Sequence, residues 1–381
     1  MTQQASKRDR ITLCWVSPWH SRSGISTYSH GLFPAIERAA GEHGVTAQLV
    51  ATDAIGEHRD LSNDVLIEAI VRHRPTLIHI QHEFGHWGGK NPPAYRFPEF
   101  IRSLRSQLPG AKIIATAHTV IPPDYRFPIH GTWKGKIARS LFNLFLLSYL
   151  GQSWREKSWG PLDGVLVHSE LQLPWVRPYA RAYCIPHYVP DPLPLRPLPH
   201  ELEKIFAQGH GPHLVIFGFI TPSKGHDLAI ELFAKTRAQL PEARLIFAGE
   251  ARTPDDQAYL ETCLALAERL GVRDRLDLTG FLDAADLPAL LTKASLVLAP
   301  FRETTGSGSI PTALSYGAPV LASDLPLNRE LEARVPGCLR FLSEQTLLET
   351  LSQASSRDQL RTQAKAYAAQ YSVRKTALAH F

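Results

Sequence analysis

The run Ile11-Thr-Leu-Cys-Trp-Val-Ser-Pro-Trp-His-Ser-Arg-Ser-Gly-Ile-Ser26 decides the fold class. Residues 11–16 are apolar or β-favouring and of the length of a buried strand. Residues 17–26 form a Ser/Gly-rich turn, and 27–40 carry apolar side chains at helical spacing. A strand, a polar turn and a helix begin a βαβ unit, the element of a parallel sheet covered on both faces. The same alternation continues, with strands expected at 47–51, 76–80, 112–117 and 164–168 and helices at 64–73 and 98–108. Pro98 stands at a helix start, where its missing N–H costs least.

Six prolines follow between 186 and 199. Proline at this density removes backbone donors and ends regular structure, so the stretch reads as an interdomain linker. The alternation then restarts. Strands are expected at 213–217, 244–248, 275–278, 296–299 and 319–322, and helices at 227–239, 255–270, 287–294 and 310–316. The expectation is an α/β chain of two Rossmann-like doubly wound domains, 1–190 and 191–364. A helical segment, 365–381, would pack back on the first.

Of 381 residues, 44% are hydrophobic and 20% charged, the balance of a globular chain with a full core. No apolar run is long enough to span a bilayer, and 11–16 is too short for a secretion signal, so a cytoplasmic location is expected. Cys14, Cys184, Cys263 and Cys338 form no C-x-x-C pair, which fits a reducing compartment and sets aside zinc ribbons and disulfide scaffolds. A net charge of +5 suits anionic substrates but is too diffuse for nucleic acid. Segment 133–159 mixes Lys134, Lys136, Arg139, Arg155 and Lys157 with the apolar run 141–150. It reads either as a peripheral membrane contact or as a helix packed on the sheet.

Several motifs are set aside. His82-Glu-Phe-Gly-His86 spells H-E-x-x-H, but it follows a strand and is rich in glycine, whereas zinc proteases carry that motif on a helix. No G-x-G-x-x-G follows the first strand, and neither a Walker A sequence nor a G-x-S-x-G elbow is present.

Four polar clusters fall at the carboxyl ends of expected strands, where open parallel sheets bind ligands. In 17–26, Gly24 and its serine neighbours, Ser23 among them, let amides approach an anion at a helix start. His118 ends the strand 112–117. Lys224 lies in the turn Phe217-Gly-Phe-Ile-Thr-Pro-Ser-Lys-Gly225, placed to neutralise a diphosphate. In 300–309, Glu303 precedes Gly306, Ser307, Gly308 and Ser309, whose amides and following helix make a phosphate cradle. Gly218, Thr221, Glu250 and Thr312 complete the expected donor-binding set.

In this order the segments QHEFG…WGG (81–89), TAHTVIPP (116–123), VHSE (167–170), IPHYVPDP (185–192), FGFITPSKG (217–225), LIFAGE (245–250), LTGFLDAADLPALL (278–291) and LSYGAPVLASD (314–324) resemble the GT-B glycosyltransferases of glycosyltransferase family 4. The resemblance spans nearly the whole chain. It implies two Rossmann-like domains facing a cleft and retaining transfer of a hexose from a GDP- or UDP-linked sugar to a hydroxyl of a glycan, lipid-linked or small-molecule acceptor. It implies no cofactor and no metal. Gly24 matches the glycine beside donor phosphates and acceptor, His118 the histidine on the transferred sugar, Lys224 the lysine on the leaving diphosphate, and Glu303 the first acid of an E-x7-E motif. Ser307, Gly308 and Ser309 match the phosphate-binding backbone. Two positions depart: Phe219 replaces an arginine, and Thr312 replaces the second acid. Arg22 and Arg302 are the nearby cations available to compensate. The alternatives are a non-catalytic GT-B binding subunit, which the two departures suggest, and a sugar-nucleotide epimerase.

Overall fold

The computed structural model describes residues 11–21, 23–54, 61–88, 95–123, 126, 137, 140–141, 143, 147–208, 211–303 and 308–381. The chain forms two compact units. The first is Met1–Pro186 with Val373–Phe381, and the second is His187–Ser372.

The first unit contains β1 (Thr12–Ser17), β2 (Thr46–Ala51), β3 (Leu77–His82), β4 (Lys112–Ala117), β5 (Gly164–Val167) and β6 (Ala182–Cys184). They pair in the order β2-β1-β3-β4-β5-β6, every pair parallel. Its helices are α1 (Gly24–Glu42), α2 (Asn63–Arg72), α3 (Phe97–Gln107), α4 (Leu147–Trp159) and α5 (Leu173–Val176). Helix α1 starts three residues before the expected position. Ser23 caps it by accepting from the Ser26 amide at 3.1 Å, which offsets the poor helix propensity of Gly24. Pro98 lies in the first turn of α3.

Within 133–159 the described residues are α4 and residues 137, 140, 141 and 143; α4 sends two tryptophans inward, while Ile137 and Leu141 are exposed. Trp154 and Trp159 are buried in the first unit's core, and the Arg155 guanidinium donates to the Ile121 carbonyl at 3.2 Å. Lys134, Lys136 and Arg139 lie outside the described residues. Among the described residues no helix is long and apolar enough to cross a membrane.

The second unit begins with α6 (His200–Ala207) and β7 (His213–Phe217). Then follow α7 (His226–Thr236), β8 (Arg244–Ala248), α8 (Pro254–Arg269), β9 (Leu276–Leu278), α9 (Leu287–Lys293), β10 (Leu296–Ala299), α10 (Ser309–Ser315), β11 (Val320–Ala322), α11 (Pro326–Arg334), β12 (Arg340–Phe341), α12 (Glu344–Ser352) and α13 (Ala354–Gln370). The strand order is β12-β11-β10-β7-β8-β9, again parallel throughout.

Alternation along these strands builds two cores. Val215, Phe217, Ile246, Ala248, Val297 and Ala299 point to one face, and Leu214, Ile216, Leu245, Phe247, Leu296 and Leu298 to the other. Successive side chains on a strand point oppositely, so a strand buried on both faces must be apolar along its buried length, as these are after His213 and Arg244 at the starts of β7 and β8.

The proline-rich stretch is part of the second unit from His187 onward. The Val189 amide donates to the Tyr371 carbonyl at 2.8 Å, and the Leu193 amide to the Tyr316 hydroxyl at 3.1 Å. The expected single helix near the C-terminus is two. Helix α13 stops at Gln370, Ser372 bridges to Val189, and α14 (Val373–Leu378) packs against α1 of the first unit. The divisions thus fall after residues 186 and 372, where the sequence suggested 190 and 364.

Candidate active site

In a doubly wound sheet the strand order reverses once, and the loops leaving the carboxyl ends of the two strands at the reversal diverge to open a crevice. In the second unit the reversal lies between β7 and β10, which pair directly. The loop after β7 carries Lys224 and the loop after β10 carries Glu303, Gly308 and Ser309.

These loops meet at Lys224. The turn Pro222–Lys224 is a single 3-10 turn, closed by Gly225 at φ +67°. The Lys224 ammonium passes Gly218, donates to the Ser309 hydroxyl at 3.2 Å and stands 4.9 Å from the Phe301 ring centroid. Burial pushes it down to about 8. Gly218 has φ +101°, and a Cβ there would come within 3.2 Å of the Lys224 nitrogen. Thr221 caps the turn through its carbonyl, which accepts from the Lys224 amide at 3.0 Å. The Glu250 carbonyl, two residues past β8, accepts from the Ile220 amide at 2.9 Å. Gly308 caps α10, its open side facing the His187 ring. Thr312, one turn on, is half-buried, and its amide donates to the Gly308 carbonyl at 3.0 Å. Glu303 is exposed, six residues before Ser309. Gly306 and Ser307 lie outside the described residues. The structure therefore gathers Gly218, Thr221, Lys224 and Ser309 around one point, with Glu250 joined through the backbone.

Arg302 is not a spare cation. Its guanidinium grips Asp227 at 2.7 and 2.5 Å and donates to the Pro222 carbonyl at 3.0 Å, while its amide donates to the Ser223 carbonyl at 2.8 Å. Tyr259 donates a further hydrogen bond to Asp227 at 2.5 Å. Burial raises the Asp227 carboxyl, but its Arg302 and Tyr259 bonds outweigh that and hold it below its ordinary value. Arg302 thus fastens the Lys224 turn and cannot stand in for the arginine that Phe219 replaces. Arg22 lies outside the described residues.

In the first unit the reversal lies between β1 and β3. Gly24 opens α1 just after β1, exposed, with nothing within 4 Å of its Cβ position. Most of the turn expected to cradle an anion is already filled. Asp53, just past β2, accepts from the Trp19 amide at 2.7 Å, the His20 amide at 3.1 Å and the Ser21 amide at 2.7 Å. Burial raises the Asp53 carboxyl, but these donors pull it below its ordinary value. What remains open is the helix start at Ser23 and Gly24.

His118 is half-buried just beyond β4, where its Nε2–H donates to the Gln81 side-chain carbonyl at 3.0 Å. Tyr28, one turn along α1 from Gly24, meets the His118 ring edge-on at 4.7 Å, and His168 lies 5.1 Å from it. Tyr28 therefore sets the His118 ring against α1, the helix that Gly24 opens. Spacing could have revealed Tyr28, since residues four apart share a helix face. Asp53 and Asp227 gave no local signal.

His82 of the H-E-x-x-H sequence is buried at the end of β3 and hydrogen-bonds the Tyr95 hydroxyl at 2.8 Å, while His86 sits in a 3-10 turn. Among the described residues no group of three or more His, Cys, Asp or Glu is placed to hold a metal ion.

Over 97% of the chain the backbone follows the Anabaena protein HepE in complex with UDP and glucose (15% identity, TM-score 0.61, 98% of that chain). It follows sucrose-phosphate synthase from Thermosynechococcus elongatus over the same share (15% identity, TM-score 0.64, 97% of that chain). The fold is GT-B.

Within this GT-B chain, residues 201–370, all in the second unit, match the model of the glycosyl transferases group 1 family. The chain is also similar to a GDP-mannose-dependent alpha-(1-6)-phosphatidylinositol monomannoside mannosyltransferase of Mycobacterium tuberculosis, 30% identical over 132 residues. That match takes in 32% of each protein, so about a third of the mycobacterial enzyme's length is represented.

Proposed function

We propose that this chain is a retaining glycosyltransferase of the family 4 type, moving a hexose from a nucleoside diphosphate sugar to an acceptor hydroxyl. The observation that carries the reading is Lys224, a half-buried cation 3.2 Å from Ser309 at the start of α10, at the strand-order reversal of the unit that matches the group 1 model. An ammonium in such a place is worth most when a diphosphate arrives.

As the bond from the anomeric carbon to the diphosphate breaks, the electron pair leaves with the phosphate oxygen. Lys224 and the amides opening α10 meet that charge, so the reading calls for no metal ion. Glu303 and His118 are assigned to sugar hydroxyls, and the exposed start of α1 at Gly24 to the acceptor side.

The mycobacterial relative is named for GDP-mannose and a phosphatidylinositol mannoside acceptor, and HepE is bound to UDP and glucose. Both nucleotides therefore belong in the test. Thermal unfolding is followed with GDP- and UDP-linked sugars at about a hundred times Kd, where a bound ligand adds about 2.7 kcal/mol. The reading expects a rise with one nucleotide series, absent in Lys224→Ala, and release of that nucleotide when acceptor is added. No rise with any nucleotide sugar sinks it.

Phe219 and Thr312, in place of an arginine and an acid, favour a second reading, a non-catalytic binding subunit. Nucleotide binding with neither transfer nor slow donor hydrolysis would establish it.

A further inference from the structure

Glu83, the glutamate of the H-E-x-x-H sequence, stands at the strand-order reversal of the first unit. β1 and β3 pair directly, and the crevice of this sheet opens between the loops that leave their carboxyl ends. Glu83 is the first residue of the loop after β3, and its backbone, at φ −141° and ψ 135°, carries the strand one residue further. Its side chain therefore shares a face with Gln81, two residues back. Gln81 bonds the His118 ring at 3.0 Å, and Tyr28 of α1 meets the same ring. The register Gln81↔Thr116 and His82↔Ala117 runs on to set Glu83 next to His118, whose amide donates to the His82 carbonyl at 3.1 Å. The Glu83 side chain is half-buried, and one carboxylate oxygen accepts from the Thr119 hydroxyl at 2.5 Å. Among the described residues no donor or cation meets the other oxygen.

We propose that Glu83 binds the attacking hydroxyl of the acceptor, its second oxygen receiving that O–H while Thr119 holds the carboxylate in place. This rests on the sugar-transfer reading above and names the chemistry of the acceptor where it meets the first unit: a neutral sugar or polyol hydroxyl. A carboxylate accepts hydrogen bonds and donates none, so an O–H pairs with it and a phosphate oxygen is repelled. His118, beside Glu83, is assigned to the transferred sugar, so a hydroxyl held at Glu83 is brought next to the sugar it attacks. Glu83 receives a hydrogen bond and takes no proton; what it supplies is the position and direction of attack. With no acceptor present, water occupies the same place.

The test follows release of UDP or GDP from the favoured nucleotide sugar by the full-length protein. Water serves as the only nucleophile, and then glycerol and methyl α-glucopyranoside are added as neutral hydroxyl probes. Glu83→Ala should release nucleotide roughly tenfold to a hundredfold more slowly, the worth of a hydrogen bond to a charged group, with UDP or GDP affinity within about twofold of wild type. Sodium formate should restore part of the rate by returning a carboxylate to the gap, and sodium chloride at the same ionic strength should not. A residue that only supports the loop would show no such rescue. Glu83→Gln keeps the shape of the side chain and can still bond Thr119, so it should unfold at the wild-type temperature while its rate falls about tenfold. Release within about threefold of wild type in both variants overturns the assignment of Glu83 and leaves the sugar-transfer reading standing. A loss confined to the alanine variant and not lifted by formate does the same. If the wild-type protein binds a nucleotide sugar but releases nothing to water or to either probe, the transfer reading itself falls, and this assignment with it.

Discussion

The Lys224 ammonium and the Ser309 hydroxyl, 85 residues apart in sequence, are 3.2 Å apart in space. With its value near 8, Lys224 changes charge within the working pH range. Diphosphate affinity should therefore be greatest below about pH 8 and decline as pH rises through it, to the extent that the ligand itself does not hold the proton. Titrations of UDP or GDP from about pH 6.5 to about pH 9.5 check this. Lys224→Met should bind at least about tenfold more weakly and lose the dependence. Folding stability runs the other way. Burial disfavours the charged lysine, so this cost is fully present below about pH 8 and is relieved as pH climbs toward the ordinary lysine value.

Asp53 makes a prediction about acid stability. Its folded value lies below the ordinary one because three amides of the loop after β1 donate to it. The stability it contributes is present above the unfolded-state value and is lost as pH falls through the folded value. Asp53→Asn should cost about 2 kcal/mol at neutral pH, the range for hydrogen bonds to a charged group. It should also flatten the acid limb of a plot of urea midpoint against pH. A variant as stable as wild type at pH 7 and equally acid-sensitive contradicts this.

Arg302 separates stability from binding. Arg302→Ala strands Asp227 beside Tyr259 and frees the Pro222 carbonyl, so a loss of about 2 kcal/mol is expected in chemical denaturation. Because the backbone amide at 302 keeps its bond to the Ser223 carbonyl in this variant, the Lys224 turn should stay in place and the nucleoside diphosphate Kd should move by less than about threefold, under 1 kcal/mol. A large affinity loss at unchanged stability would make Arg302 a phosphate ligand after all.

The parallel sheets were legible because their strands are short, apolar and separated by helices of regular period. The unread strands are β6 and β12, of three and two residues, too short for any period to show. The break between α13 and α14 has no glycine or proline to announce it. Pairing of Ser372 with Val189 makes it, a contact between segments 183 residues apart (372 − 189). The same limit applies at the site. Lys224 and the start of α10 stood out because glycine, serine and a cation cluster locally. The partners of Asp53 and Arg302 lie 32 to 34 and 75 residues away, so an arginine that looked available is already engaged.

Two glycines at loop–helix junctions should respond oppositely to alanine, and the contrast tests the site directly. Gly225 has φ +67°, and a Cβ there would overlap the Pro300 carbonyl oxygen. The left-handed backbone costs an alanine about 1 kcal/mol, and the overlap adds a further 1–3 kcal/mol. Relief of that overlap must push the chain at Pro300 away from the Lys224 turn, and that chain leads on to Ser309. Gly225→Ala should therefore lower the melting temperature and also weaken diphosphate binding, because the Lys224–Ser309 pairing depends on the same approach. Gly24 begins α1 with open space around it and no positive φ. Gly24→Ala should fold as well as wild type or better, by up to about 1 kcal/mol, since alanine favours the helix. If the space at Gly24 belongs to the acceptor, as proposed, this variant will still bind the nucleotide but lose transfer. Undiminished transfer in a stable Gly24→Ala protein would remove the start of α1 from the site and leave the donor half at Lys224 untouched.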